Sequence, residues 1–170
     1  MKKCAATILP LLFMALLLCG CQTWHKLTYT PVYVISLHEF EDQKVATDLV
    51  TAVTDRDYKH PRSVKRFPFL DSRSFPAGEV TGPDENGRYG IRLFTNRWSV
   101  GPMQQTSNSN YGSYFAVVID GMYAGASRFN REMCRGAVCE LDKLWNRREA
   151  EKIVEHLDGN YRYNNGWWNK

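Results

Sequence analysis

Asp120 stands at the end of an apolar, β-branched run from Tyr114 to Ile119, and Gly121 follows it before apolar residues resume. A carboxylate in that place is a candidate acid or base if a histidine or a second carboxylate faces it. The same Asp-Gly pair is a strong signal for a two-residue hairpin turn, since both residues tolerate the positive φ values that such a turn needs. The sequence offers no partner that can be set opposite Asp120. The expected role of Asp120 and Gly121 is therefore the turn, with two strands on either side.

Other chemistry is sparse. His38 opens a His-Glu pair, but Asp42 occupies the place where a zinc-binding His-Glu-x-x-His motif needs its second histidine. His25, His60 and His156 are scattered and read as surface histidines. Neither a Gly-x-Ser-x-Gly elbow nor a phosphate-binding Walker loop occurs. Asp84 and Glu85 fall inside Gly82–Gly87, a turn where solvated charge is the ordinary explanation. The expectation is a protein with no catalytic residues, no metal and no cofactor.

The cysteines follow from the start of the chain. Lys2 and Lys3 precede an apolar stretch from Ala5 to Leu18. A membrane-spanning helix needs roughly 20 such residues, so this stretch reads as a secretory signal. It closes with Leu18-Cys19-Gly20-Cys21, which resembles the bacterial lipobox, with Cys21 as the acylated residue. That resemblance implies removal of residues 1–20 and fatty chains, palmitate among them, on Cys21. It also implies a mature protein of about 150 residues, the size of one domain. Each buried methylene adds about 0.8 kcal/mol, and two chains suffice for stable attachment. Gln22 is not the aspartate that resembles an inner-membrane retention signal. The expected location is thus periplasm-facing, with the outer membrane ahead of the inner. The 22 basic residues lose Lys2 and Lys3 with the signal and then nearly balance 18 acidic ones, which gives no case for nucleic acid. Cys134 and Cys139 remain. Export places them where disulfides persist, and Gly136 between them suits a stapled turn. A redox pair ordinarily reads Cys-x-x-Cys, so a structural disulfide with a modest effect is expected.

The elements that must hold these residues can be read in outline. Residues 21–30 form a tether, and Pro31 to Leu37 a first strand. Ala46, Leu49, Val50 and Val53 share one helical face. Asp55 to Arg66 is a loop whose cations Arg56, Lys59, Arg62, Lys65 and Arg66 are diluted by Asp55 and Asp57. Solvation is its expected role, with contact to anionic lipid as the alternative. Pro68 and Pro76 break the next segment into turns. Arg88 to Asn96 is a strand, Gly101 to Gly112 a polar loop without periodicity, and Tyr114 to Ile119 a central strand. Met122 to Ser127 returns along it, and Ala137 to Leu141 adds another strand. Asn146 with Glu149 resembles a capping box. Ala150, Ile153, Val154 and Leu157 then mark a helix that Asp158-Gly159 should end. Beyond it lie Tyr161, Tyr163, Trp167 and Trp168. Rings of this kind could grip a peptide or stack on a sugar, although a tail folded over the sheet is the plainer expectation. The fold class is α+β, a mostly antiparallel sheet with two helices packed on one face, in a single domain over 31–160 with an aromatic tail over 161–170.

The order of the pieces "YFAVVIDGMYAGASRF", a glycine-containing segment, a strand and "NRREAEKIVEHL" resembles the head subdomain of the first periplasmic region of the SecD/SecDF translocon proteins. Asp120-Gly121 match that family's turn, Gly136 its later glycine, and Glu149-Ala150 the start of its closing helix. The upstream "FPFLDSRSFPAGEVTGPDENGRYGIRLFTN" is similar to its preceding strands, so the resemblance covers about 67–157. It implies the fold and contact with exported polypeptides or an envelope partner. Motor activity is not carried over, because the family's transmembrane helices have no counterpart here. The expected function is a membrane-anchored, non-enzymatic protein-binding or accessory module. A glycan- or peptidoglycan-binding lipoprotein is the alternative, and a hydrolase stands third.

Overall fold

A computed structural model describes residues 28–41, 49–55, 61–136 and 138–166. In chain order the strands and helices are β1 (Ile35–Glu39), β2 (Val50–Val53), β3 (Arg62–Lys65), β4 (Leu70–Asp71), β5 (Ala77–Thr81), β6 (Tyr89–Phe94), α1 (Arg97–Ser109), β7 (Tyr114–Ile119), β8 (Met122–Arg128), α2 (Arg131–Arg135), β9 (Val138–Trp145) and α3 (Arg147–Asn165). The class is α+β, and every ladder between these strands is antiparallel. The strands form a four-stranded sheet in the order β4-β1-β7-β8, a three-stranded sheet β5-β6-β9, and the two-stranded ribbon β2-β3.

The apolar run of β7 follows from burial on both faces. Phe115, Val117 and Ile119 enter the main core with Ile35, Leu37, Leu93 and Ile153. Ala116 and Val118 point the other way, into a second cluster with Val53 and Val64. A strand covered on both sides loses the usual apolar-polar alternation. This second cluster corrects the first expected helix. Val50 to Val53 forms strand β2, paired with β3 from Val50↔Lys65 to Val53↔Arg62. Two β-branched valines suit a pleated ribbon that covers the back of β7. Ala46 lies outside the described residues.

A helix missing from the expectation occupies Arg97–Ser109, where a polar loop was read. Asn96 caps it, its side chain accepting from Trp98 N and Ser99 N. Only Met103 and Ser107 are buried along it, so the helix carries almost no apolar periodicity to read.

The final helix begins as expected, with Asn146 Oδ1 accepting from Glu149 N at 2.9 Å. Ala150, Ile153 and Leu157 are buried. Gly78 of β5 makes the close approach of helix and sheet feasible, since a Cβ there would meet Leu157 Cδ1 at 2.7 Å. Asp158-Gly159 does not end the helix. It continues to Asn165, with Gly166 at φ 83 as its cap. Gly159 instead makes room for the ring of Tyr29. The Tyr29 hydroxyl donates to Asn160 Oδ1 at 2.9 Å, and Asn160 Nδ2 donates to Val32 O at 2.8 Å. Burial pushes the Tyr29 phenol above its ordinary pKa, with Asp158 adding to the effect. Tyr29 thus belongs to the domain, one residue inside the expected tether.

The two larger sheets meet at a seam between β8 and β9 that side chains close. Asp142 N donates to Ser127 Oγ at 2.9 Å, and Arg128 N donates to Asp142 Oδ2 at 3.0 Å. Gly125 faces Leu144, whose methyl carbons lie 2.9 Å from where a Cβ would sit.

Candidate functional site

Asp120 takes φ 51 and Gly121 φ 79, so the pair forms the turn between β7 and β8. The carboxylate has a second job. Its Oδ1 accepts from Val34 N at 2.8 Å and its Oδ2 from Tyr33 N at 3.1 Å, while Asp120 N donates to Val34 O at 2.9 Å. Both oxygens therefore hold the segment leading into β1. Asp120→Asn keeps a residue that tolerates positive φ and one acceptor, and should cost less than about 1 kcal/mol. Asp120→Ala loses both acceptors and adds left-handed strain, and should cost about 2 kcal/mol by urea denaturation. Equal losses in the two variants would refute the clamp.

The remaining titratable groups resolve one by one. His38 is buried; its Nδ1 donates to Lys65 O at 2.8 Å, which leaves Nε2 to accept from the Ser36 hydroxyl at 2.9 Å. His156 Nδ1 donates to Lys152 O, and its ring stands 5.3 Å from Tyr33. His25 and His60 lie outside the described residues. Asp84 accepts from Asn86 N and Arg88 N in its turn, and the Arg88 amide above all holds its carboxyl below the ordinary value. Among the described residues no three His, Cys, Asp or Glu side chains gather as a metal site. Lys65 pairs with Glu39 at 3.0 Å, whereas Arg66 is exposed. Arg56 and Lys59 lie outside the described residues.

The expected disulfide is absent, and Cys134 and Cys139 are free thiols. The intervening chain is not a hairpin. Cys134 belongs to helix α2, and Cys139 is a fully buried member of the main core on β9. Burial pushes the Cys139 thiol far above its ordinary pKa, and Glu140 adds to the rise. A thiol held protonated is a poor nucleophile. Iodoacetamide should thus modify half-buried Cys134 well before Cys139, at least about tenfold faster by site-resolved mass spectrometry.

The aromatic tail divides at the helix end. Tyr161 is buried, and half-buried Tyr163 packs on Tyr29 with ring centres 6.1 Å apart. Trp167, Trp168 and Cys21 lie outside the described residues.

Two surfaces among the described residues bear on binding. One is the outer edge of β5, which pairs only with β6 among the described strands. Its exposed Ala77 and Glu79 alternate with partly covered Gly78 and Val80. The other is a groove of ≈ 270 Å³ beside β4, walled by Pro68, Phe69, Asp71, Arg73, Asn96 and Trp98. Arg73 O accepts from both Asn96 Nδ2 (2.9 Å) and Asn165 Nδ2 (3.0 Å), which ties the β4 turn to the ends of α1 and α3. The Arg73 guanidinium pairs with Asp71 at 2.6 Å. Trp98 and Phe67 escaped the sequence reading. The available signal was an arginine directly before each aromatic, next to Pro68 in one case and the Asn96 cap in the other.

The arrangement of sheets and helices is that of a SecDF-like α+β domain. A chain from the structure of SecDF, described as a membrane component that enhances protein export, matches with a TM-score of 0.54 and 14% identity over 76% of this chain and 63% of that one. SecDF in a super-membrane-facing form matches with a TM-score of 0.54 and 15% identity over 75% of this chain and 19% of that one. This chain therefore spans less than two thirds of either. No family model matches the sequence, and no curated protein matches it. At such identities the likeness is one of fold.

Proposed function

We propose that this chain is a non-enzymatic accessory module of the cell envelope, anchored by lipid at Cys21 on the periplasm-facing side of a membrane, that binds an extended segment of another polypeptide. The observation that carries this reading is the outer edge of β5. The seam between β8 and β9 is clasped by Ser127, Arg128 and Asp142, and β4 is only two residues long. A five-residue edge with one ladder partner is a place where a strand can be added, with affinity from backbone hydrogen bonds and specificity from alternate side chains. The fold shared with a membrane component that enhances protein export supports an exported or translocon-associated polypeptide as the partner. The glycan alternative loses Tyr161, which is buried.

A photo-reactive side chain at Ala77 or Glu79 should give polypeptide adducts in intact cells, whereas one at exposed Gln105 on α1 should not. Equal capture from Gln105, or none from β5, would overturn the reading. Metabolic labelling with an alkyne palmitate analogue checks the anchor separately. Label should enter the chain and be lost in Cys21→Ser.

A further inference from the structure

We propose that the face carrying Leu49, Phe67 and Trp98 rests on an anionic lipid surface. This does not depend on strand addition at β5. Trp98 (75% exposed) and Phe67 (72%) are the two most exposed large hydrophobic residues among those described, and Leu49 is 55% exposed. The segments that carry them adjoin. Arg66 N donates to Leu49 O at 2.7 Å, which sets Leu49 against the Arg66-Phe67 step. Pro68, bonded to Phe67, lines the same groove as Trp98.

Charge completes the face. Exposed Arg66 and Arg97 each directly precede one of the aromatics, and Arg73 lines the groove beside Trp98. Among the described residues Asp71 is the one acidic residue lining this groove, and Arg73 already pairs with it. Aromatic rings at the headgroup level with arginines reaching to phosphates is the arrangement of an interfacial contact. The Arg97 guanidinium lies over the Trp98 ring, 4.6 Å from its centre, and sets a positive charge beside the exposed aromatic. The cations therefore favour a phosphate-rich surface over a neutral glycan.

The test uses the full chain reconstituted into vesicles of phosphatidylcholine with or without phosphatidylglycerol. A diazirine-bearing phenylalanine replaces Phe67 or Trp98 in turn, and exposed Tyr111 or Tyr114 for comparison. Positions 67 and 98 should label lipid at least about fivefold more than 111 and 114 on anionic vesicles, the effect of one arginine near such a surface. Arg66→Glu with Arg97→Glu should remove that excess, as should neutral vesicles. Circular dichroism checks that these surface variants stay folded. Equal lipid labelling at all four positions, labelling insensitive to lipid charge, or adducts to a second copy of the chain in place of lipid would each overturn the proposal.

Discussion

Phe115→Ala is expected to cost about 3–5 kcal/mol, the range for removing a fully buried aromatic ring from a core. Phe115 has no solvent exposure. Its ring centre lies 4.7 Å from Phe129 and 5.5 Å from Phe69, and those two are 5.4 Å from each other. The three rings come from β7, the turn before β4 and the residue after β8, so one truncation loosens three segments. Domains carry only about 5–15 kcal/mol of net stability, so the variant should unfold at a much lower urea concentration. Tyr114, one residue away, is 56% exposed, and Tyr114→Ala should change stability by no more than about 0.5 kcal/mol. Ala116 faces the opposite cluster with Val53 and Val64, where Ala116→Leu should cost about 1–3 kcal/mol by overpacking. A loss below about 1 kcal/mol for Phe115→Ala would mean that the three rings do not form one packed unit.

The strands around Asp120 were legible because turn chemistry and burial there speak the same language. A long apolar run, an Asp-Gly turn and a returning strand are all local signals. The long-range use of the Asp120 carboxylate was not, since its partners Tyr33 and Val34 lie far off in sequence and are backbone amides. Residues 46–53 misled because the positions 46, 49, 50 and 53 satisfy helical spacing while the ribbon's real task, covering Ala116 and Val118, is set by the fold. Helix α1 was hidden for the opposite reason. Pro102 lies inside it and only two of its residues are buried, so it offers a breaker and no stripe. Asn96 at its cap was the one local sign. The cysteine spacing suggested a staple, but the structure uses Cys139 as a small apolar core residue, and sequence spacing cannot distinguish these uses. The groove escaped because its walls come from the β4 turn, α1 and α3, and only folding brings them together.

Gly159→Ala should destabilise the domain, reversing the sign expected for this change in a helix. Alanine ordinarily gains about 0.8–1 kcal/mol over glycine in a helix interior. At this position a Cβ would stand 2.5 Å from the Tyr29 hydroxyl and 2.6 Å from the ring carbon that bears it. Contact that close must push Tyr29 aside. The hydroxyl then leaves Asn160 Oδ1, and Asn160 is fully buried, with its amide nitrogen holding Val32 O. An acceptor stranded in the interior costs about 1–3 kcal/mol, which exceeds the helix gain. Removing the obstacle should restore the ordinary sign: in a Tyr29→Ala background, Gly159→Ala should be neutral or stabilising. The coupling between the two sites should then fall in the 0.5–3 kcal/mol range typical of residues in contact, read from urea midpoints of the four variants. Simple additivity would refute the clasp between residues 29–32 and α3, and with it the fixed point from which the preceding chain leaves the domain.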